Sequence, residues 1–91
     1  MPKIDKESIW ILRGTQRKEV FISLPQEEFI PNKLRKKLKL SLSLREMSRH
    51  LRDFEKRGLI KCLNPEDPYN KFYLITDKGL KFKKKIVRFL D

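Results

Sequence analysis

Apolar residues at three- and four-residue spacing mark most of this chain as helical. The clearest case is residues 43–58, SLREMSRHLRDFEKRG. Here Leu44, Met47, Leu51 and Phe54 make one apolar face. Ser43 and Glu46 form the S-x-x-E pattern of a capping box. Leu42 and Met47 stand where a hydrophobic staple closes the helix start, and Gly58 suits a left-handed stop. Upstream, Asp5 is placed to cap a short helix carrying Ile9, Trp10, Ile11 and Leu12, an apolar run that covers more than one helix face. Gly14 and Thr15 punctuate the chain. Thr15 is expected to cap a second helix whose buried side is Val20, Phe21 and Leu24, and Pro25 ends it. Residues 26–31 read as a connection with Phe29 and Ile30 tucked inward. Pro31 fits the first turn of a third helix, whose buried edge is Leu34 and Leu38. Residues 39–42 are the turn that follows.

After Gly58 the period changes. Residues 59–63 (LIKCL) and 71–75 (KFYLI) read as short strands, separated by the turn formers NPEDPYN. Ile60 and Cys62 share one face, and so do Tyr73 and Ile75. Cys62 reads as a small buried apolar residue. Thr76 caps a last helix, in which Phe82, Ile86, Phe89 and Leu90, flanked by Leu80 and Val87, span roughly 180° of the helical wheel. The pattern is therefore mainly α with a small β-hairpin, an α+β class. One small body needs a narrower apolar arc than this. The surplus, together with Ile9–Leu12, points to a homodimer contact through the N- and C-terminal helices; the alternative is that the domain wraps its last helix closely.

The polar positions change the picture further. Net charge is +11, and it is not evenly spread. Residues 1–30 and 58–75 are each neutral, whereas residues 31–57 carry +7 and residues 76–91 carry +4. A binding face concentrates charge in this way. At about 100° per residue, Arg45, Arg49, Arg52 and Lys56 fall within an arc of roughly 60°, with Ser48 at its border. Like charges at these spacings cost a few tenths of a kcal/mol each, and Asp53 and Glu55 can relieve only part of the repulsion. The outside partner that fits is a polyanion; the bland reading is a solvated helix face. Lys33, Arg35, Lys36, Lys37 and Lys39 add a second basic run on the helix before it.

Two helices joined by a few residues, the second longer and basic, describe a helix-turn-helix. The run LKLSLSLREMSRHLRDFEKRGLIKCLNPEDPYNKFYLITDKGLKF resembles the winged helix-turn-helix transcription regulators of prokaryotes, of the broad MarR/ArsR-like kind. The matching pieces are SRHLRDFEKRGLI, a hairpin, and YLITDKG, and the resemblance covers roughly residues 15–82. It implies a winged helix-turn-helix domain over residues 1–91, with a core at 15–75, the helix-turn-helix at 31–57 and the wing at 59–75. Helices at 5–13 and 76–90 flank it and are the candidates for the dimer contact that the surplus apolar surface suggests. It also implies sequence-specific binding of double-stranded DNA as a transcription regulator, with helix 44–57 in the major groove. Arg45, Ser48, Arg49 and Arg52 are then the candidates for base contacts. Lys33, Lys36, Lys37, Lys39, Lys56 and Lys71 are the candidates for phosphate contacts. Wings of this family often carry Arg or Lys at the tip. Here the tip holds Glu66 and Asp67, so either Lys71, Asn70 or Tyr69 reaches a minor groove or the wing is mainly structural.

Other roles stay open at this stage. A winged-helix module can bind RNA or an acidic protein surface, or coat nucleic acid without sequence preference. Catalysis has little to build on. His50 is the only histidine and is placed to pair with Glu46, Cys62 is the only cysteine, and neither a metal spacing nor a glycine-rich phosphate loop is present. No enzyme activity, cofactor or metal is expected. No run approaches the roughly 20 apolar residues of a membrane span, and the first residues lack a signal-peptide core, so a cytoplasmic protein is expected.

Overall fold

The computed structural model describes residues 6–38 and 42–90, with side chains as far as residue 88. Its elements are α1 (Lys6–Arg13), α2 (Thr15–Ile22), α3 (Pro31–Lys37), α4 (Leu44–Lys56), β1 (Ile60–Cys62), β2 (Tyr73–Ile75) and α5 (Asp77–Leu90). The expected cap Asp5, the basic Lys39 and the side chains of Phe89 and Leu90 lie outside the described residues.

The signals around α4 act as their chemistry dictates. The Ser43 hydroxyl accepts the Glu46 N–H at 3.1 Å, and the Glu46 carboxylate accepts the Ser43 N–H at 3.2 Å. Leu42 and Met47, the two positions of the expected staple, are both buried. Gly58 stops the helix at φ 75°, a conformation that costs an L-residue with a side chain about 1–2 kcal/mol. The start of α2 differs from expectation. Thr15 lies inside the helix, and Gly14 is the cap, without a side-chain hydrogen bond.

The two strands pair antiparallel with Ile60 opposite Ile75 and Cys62 opposite Tyr73, which puts both pairs on one face. The strands are shorter than the runs LIKCL and KFYLI, and Cys62 is half-buried rather than buried. Phe29 adds a third edge. It exchanges both backbone hydrogen bonds with Tyr73 at 3.0 Å, and the two rings stack with centroids 5.9 Å apart. The 26–31 connection is therefore clamped to the hairpin.

The core gathers a residue from every element. Met47, Leu51 and Phe54 of α4 are fully covered, as are Ile11, Val20, Phe21, Leu59 and Ile86. The Phe54 ring meets Phe21 at 5.3 Å and Trp10 edge-on at 5.9 Å. Fully burying one such side chain contributes about 1.5–3 kcal/mol, so this face, not its charges, holds α4 in place.

The hairpin and α5 meet at Thr76. Its hydroxyl accepts the Gly79 N–H at 3.0 Å and donates to the Gly58 carbonyl at 2.6 Å. One residue thus caps α5 and ties it to the end of α4. On the last helix, Ile86 is covered, Leu80 and Phe82 are half-buried, and Val87 is 37% exposed.

Candidate nucleic-acid interface

The basic face of α4 points outward. Arg45, Ser48, Arg49, Arg52 and Lys56 are all exposed. Asp53 and Glu55 lie on the same helix but make no close contact with them: among the described residues, no carboxylate closes an ion pair with any of the four cations. Elsewhere, Lys78 pairs with Glu7 at 3.3 Å. On α3, Lys33, Lys36 and Lys37 are likewise exposed, and Lys71 is exposed on the wing.

Two cations that charge counting places with this face are withdrawn from it. Arg35 is half-buried. Its Nη1 donates to the Leu42 carbonyl at 3.2 Å, and its Nε and Nη2 donate to the Asn32 side-chain oxygen at 3.3 and 3.0 Å. Arg57 folds over the Trp10 ring at 3.8 Å, and Arg17 lies over the same ring at 4.2 Å. The backbone carbonyl of Arg57 accepts from the Lys78 ammonium at 2.9 Å, a cation at the negative end of α4. Arg35 and Arg57 therefore brace the two ends of α4.

His50 does not pair with Glu46, whose carboxylate is held at the helix start by Ser43. Its Nε2 instead lies 3.5 Å from the Gln16 side-chain oxygen, half-buried against α2. Burial, and then the nearby Arg17 charge, push the imidazole below its ordinary pKa. The backbone N–H of Ser43 pulls Glu46 below the usual carboxylate range.

The wing tip is a built turn. The Asp67 carboxylate accepts from the N–H groups of Tyr69 at 2.8 Å and Asn70 at 3.0 Å, and these bonds lower its pKa. The Asn64 side-chain oxygen accepts the Phe72 N–H at 2.8 Å. Asp67 thus spends its charge on the turn, which presents Tyr69 at 89% exposure beside Lys71.

Between the wing, the start of α3 and α4 runs an open cleft of about 670 Å³. Leu44, Ser48, Arg52 and Glu55 line one wall, and Tyr69, Lys71 and Phe72 line the other. Leu44 departs from the expected pattern. On the helical wheel it lies roughly 20° from Leu51. Leu51 is fully covered, while Leu44 is 47% exposed. The wheel carries no information on depth along the axis, and Leu44 is the first residue of α4, at the edge of the core. Among the described residues, no group of three or more His, Cys, Asp or Glu side chains could hold a metal ion, and no helix is long and apolar enough to cross a membrane.

A helix pair followed by an antiparallel hairpin that folds back beside the second helix is the winged helix-turn-helix fold. Solved structures agree. A candidate MarR-family transcriptional regulator from Enterococcus faecalis V583 superposes with a TM-score of 0.74 at 18% identity, over 99% of this chain and 86% of that one. A candidate HxlR-family transcriptional factor from Thermoplasma volcanium GSS1 gives 0.68 at 22% identity, over 96% and 80%. A candidate transcriptional regulator for arsenical resistance gives 0.63 at 19%, over 94% and 85%. At these identities the likeness is one of fold. No protein-family model and no curated protein matches the chain.

Proposed function

We propose that this chain binds double-stranded DNA with sequence preference and acts as a transcription regulator, as a homodimer, with α4 in the major groove. One observation carries the reading: Arg45, Arg49, Arg52 and Lys56 stand in solvent along one face of α4 without an internal counter-ion among the described residues. Such a stripe costs folding free energy that a row of phosphates and guanine edges offsets. In this reading Arg45, Ser48, Arg49 and Arg52 meet base edges, and an Arg fork grips guanine O6 and N7. Lys33, Lys36, Lys37, Lys39 and Lys56 set the register on the backbone, with Lys71 reaching a phosphate from the wing. The fold supports it, since the superposed structures are candidate transcriptional regulators. The homodimer is supported by apolar surface left on the flanking helices: Ile9 of α1 and Val87 of α5 are each 37% exposed.

Selection from a random duplex library, followed by sequencing, tests this. The expected result is an enriched motif whose binding survives excess random duplex. Binding that random duplex removes in proportion to its mass contradicts sequence preference. The exposed Tyr69 favours a second reading, stacking on single-stranded nucleic acid. Tighter binding to single strands than to duplex, lost in Tyr69→Ala, would select that reading instead.

A further inference from the structure

We infer that Leu44 is a specificity residue that reads the 5-methyl group of a thymine, an assignment that rests on the duplex reading above. Leu44 is not among the buried residues of the core. The buried apolar face of α4 is made by Met47, Leu51 and Phe54, and Leu42 is buried just before the helix start. Leu44 is 47% exposed on a helix whose outer face is charged, so its side chain is open to an apolar group of whatever docks there.

Its neighbours identify that partner. Leu44 shares one stretch of surface with Arg45, Ser48, Arg49 and Arg52, and with Ser48 and Arg52 it also forms the cleft wall opposite the wing. Leu44, Ser48 and Arg52 follow at four-residue spacing, so they form a single row along the helix. A greasy protein surface fits poorly between three exposed arginines. A polyanion with apolar groups at fixed positions fits well. In the major groove of DNA the apolar group is the thymine methyl, and the other base edges are polar. Leu44 opens α4, the end that reaches base edges in a helix-turn-helix. Arginines then select guanines, and Leu44 selects a thymine beside them.

The test uses the full chain and the duplex it selects from a random library. Each thymine is replaced in turn by deoxyuridine, which removes one methyl and leaves base pairing intact. Affinity is expected to fall about fourfold at one thymine, or at its symmetry mate in a two-fold site, as one buried methyl requires. Leu44→Ala is expected to bind the unmodified duplex about as weakly as wild type binds the deoxyuridine form, and to show no further loss there. Wild type that tolerates deoxyuridine at every position overturns the assignment while leaving the duplex reading standing. A methyl effect that persists in Leu44→Ala does the same. A chain that selects no duplex overturns both.

Discussion

Arg35, on α3, donates a hydrogen bond to the carbonyl of Leu42, just before α4, at 3.2 Å, while its other donors hold Asn32. Leu42 is buried and directly precedes the Ser43 cap, so this contact fixes where α4 begins and how it leaves α3. A cation in the middle of a basic run thus acts as a brace. Arg35→Met keeps the stem and removes the bonds, and should cost about 1–2 kcal/mol. Urea unfolding should show a lower midpoint at unchanged slope. Lys36→Met, one residue along and exposed, should stay within about 0.5 kcal/mol of wild type. Equal losses in the two variants would remove the distinction between brace and surface charge.

Gly79 in the first turn of α5 gives a prediction whose sign is opposite to propensity. Ala is a better helix former than Gly by about 0.8–1 kcal/mol. A Cβ at Gly79, however, would sit 2.1 Å from the Leu59 carbonyl oxygen and 2.7 Å from the Ile75 side chain. Gly79→Ala must push α5 off the hairpin and should destabilise by about 1–3 kcal/mol. Thermal unfolding should move down by about 4–8 °C per kcal/mol for a domain of this size. A raised Tm would mean that α5 packs less closely than this.

The capping box predicts an acid response. Ser43→Ala should cost about 1 kcal/mol. The folded state holds Glu46 below its usual carboxylate range through the Ser43 N–H, so its stabilising contribution is present above about pH 4.3 and is lost as pH falls through the lowered folded value. Glu46→Gln should flatten that part of the stability curve. An unchanged acid limb in chemical denaturation would show that the carboxylate is not held.

His50 predicts a second, separate window. Its folded pKa is pushed down, first by burial and then by Arg17, so the unfolded chain binds the proton more readily. Stability should be full above about pH 6.5 and should fall as pH drops from there toward the lowered folded value. His50→Gln retains a polar partner for Gln16 and should remove this slope. Denaturation midpoints at about pH 7.5 and about pH 5.5 decide it, because an equal drop in both proteins excludes His50 as the source.

Much of the fold was legible because its signals are local. A capping box, a staple, a glycine stop and a period of 3.6 specify α4 within a short stretch, and Thr76 announces α5. The strands were legible as a pair but over-long, since composition marks β-propensity and not where the ladder ends. The Phe29–Tyr73 bridge was hidden because it joins positions 44 residues apart. The site was legible as a stripe of Arg45, Arg49, Arg52 and Lys56, since helical geometry alone places them together. The helical wheel sets Arg57 outside that stripe and Arg35 lies on the helix before it, but the bracing roles of both were hidden, because their partners, the Trp10 ring and the Leu42 carbonyl, are tertiary contacts. Leu44 shares the apolar face by pattern yet stands half in solvent, because burial at a helix end depends on what lies beyond it.

The central claim, that the outward arginines of α4 read bases while the lysines of α3 hold the backbone, is tested most directly by paired binding titrations. Arg49→Ala and Lys37→Ala are each measured on the selected duplex and on a scrambled one, across a salt series. The expected result is that Arg49→Ala loses about 1–3 kcal/mol on the selected duplex and most of the discrimination at one position. Lys37→Ala should weaken both duplexes alike and reduce the salt slope by about one. If Arg49→Ala discriminates as well as wild type, α4 does not read the groove.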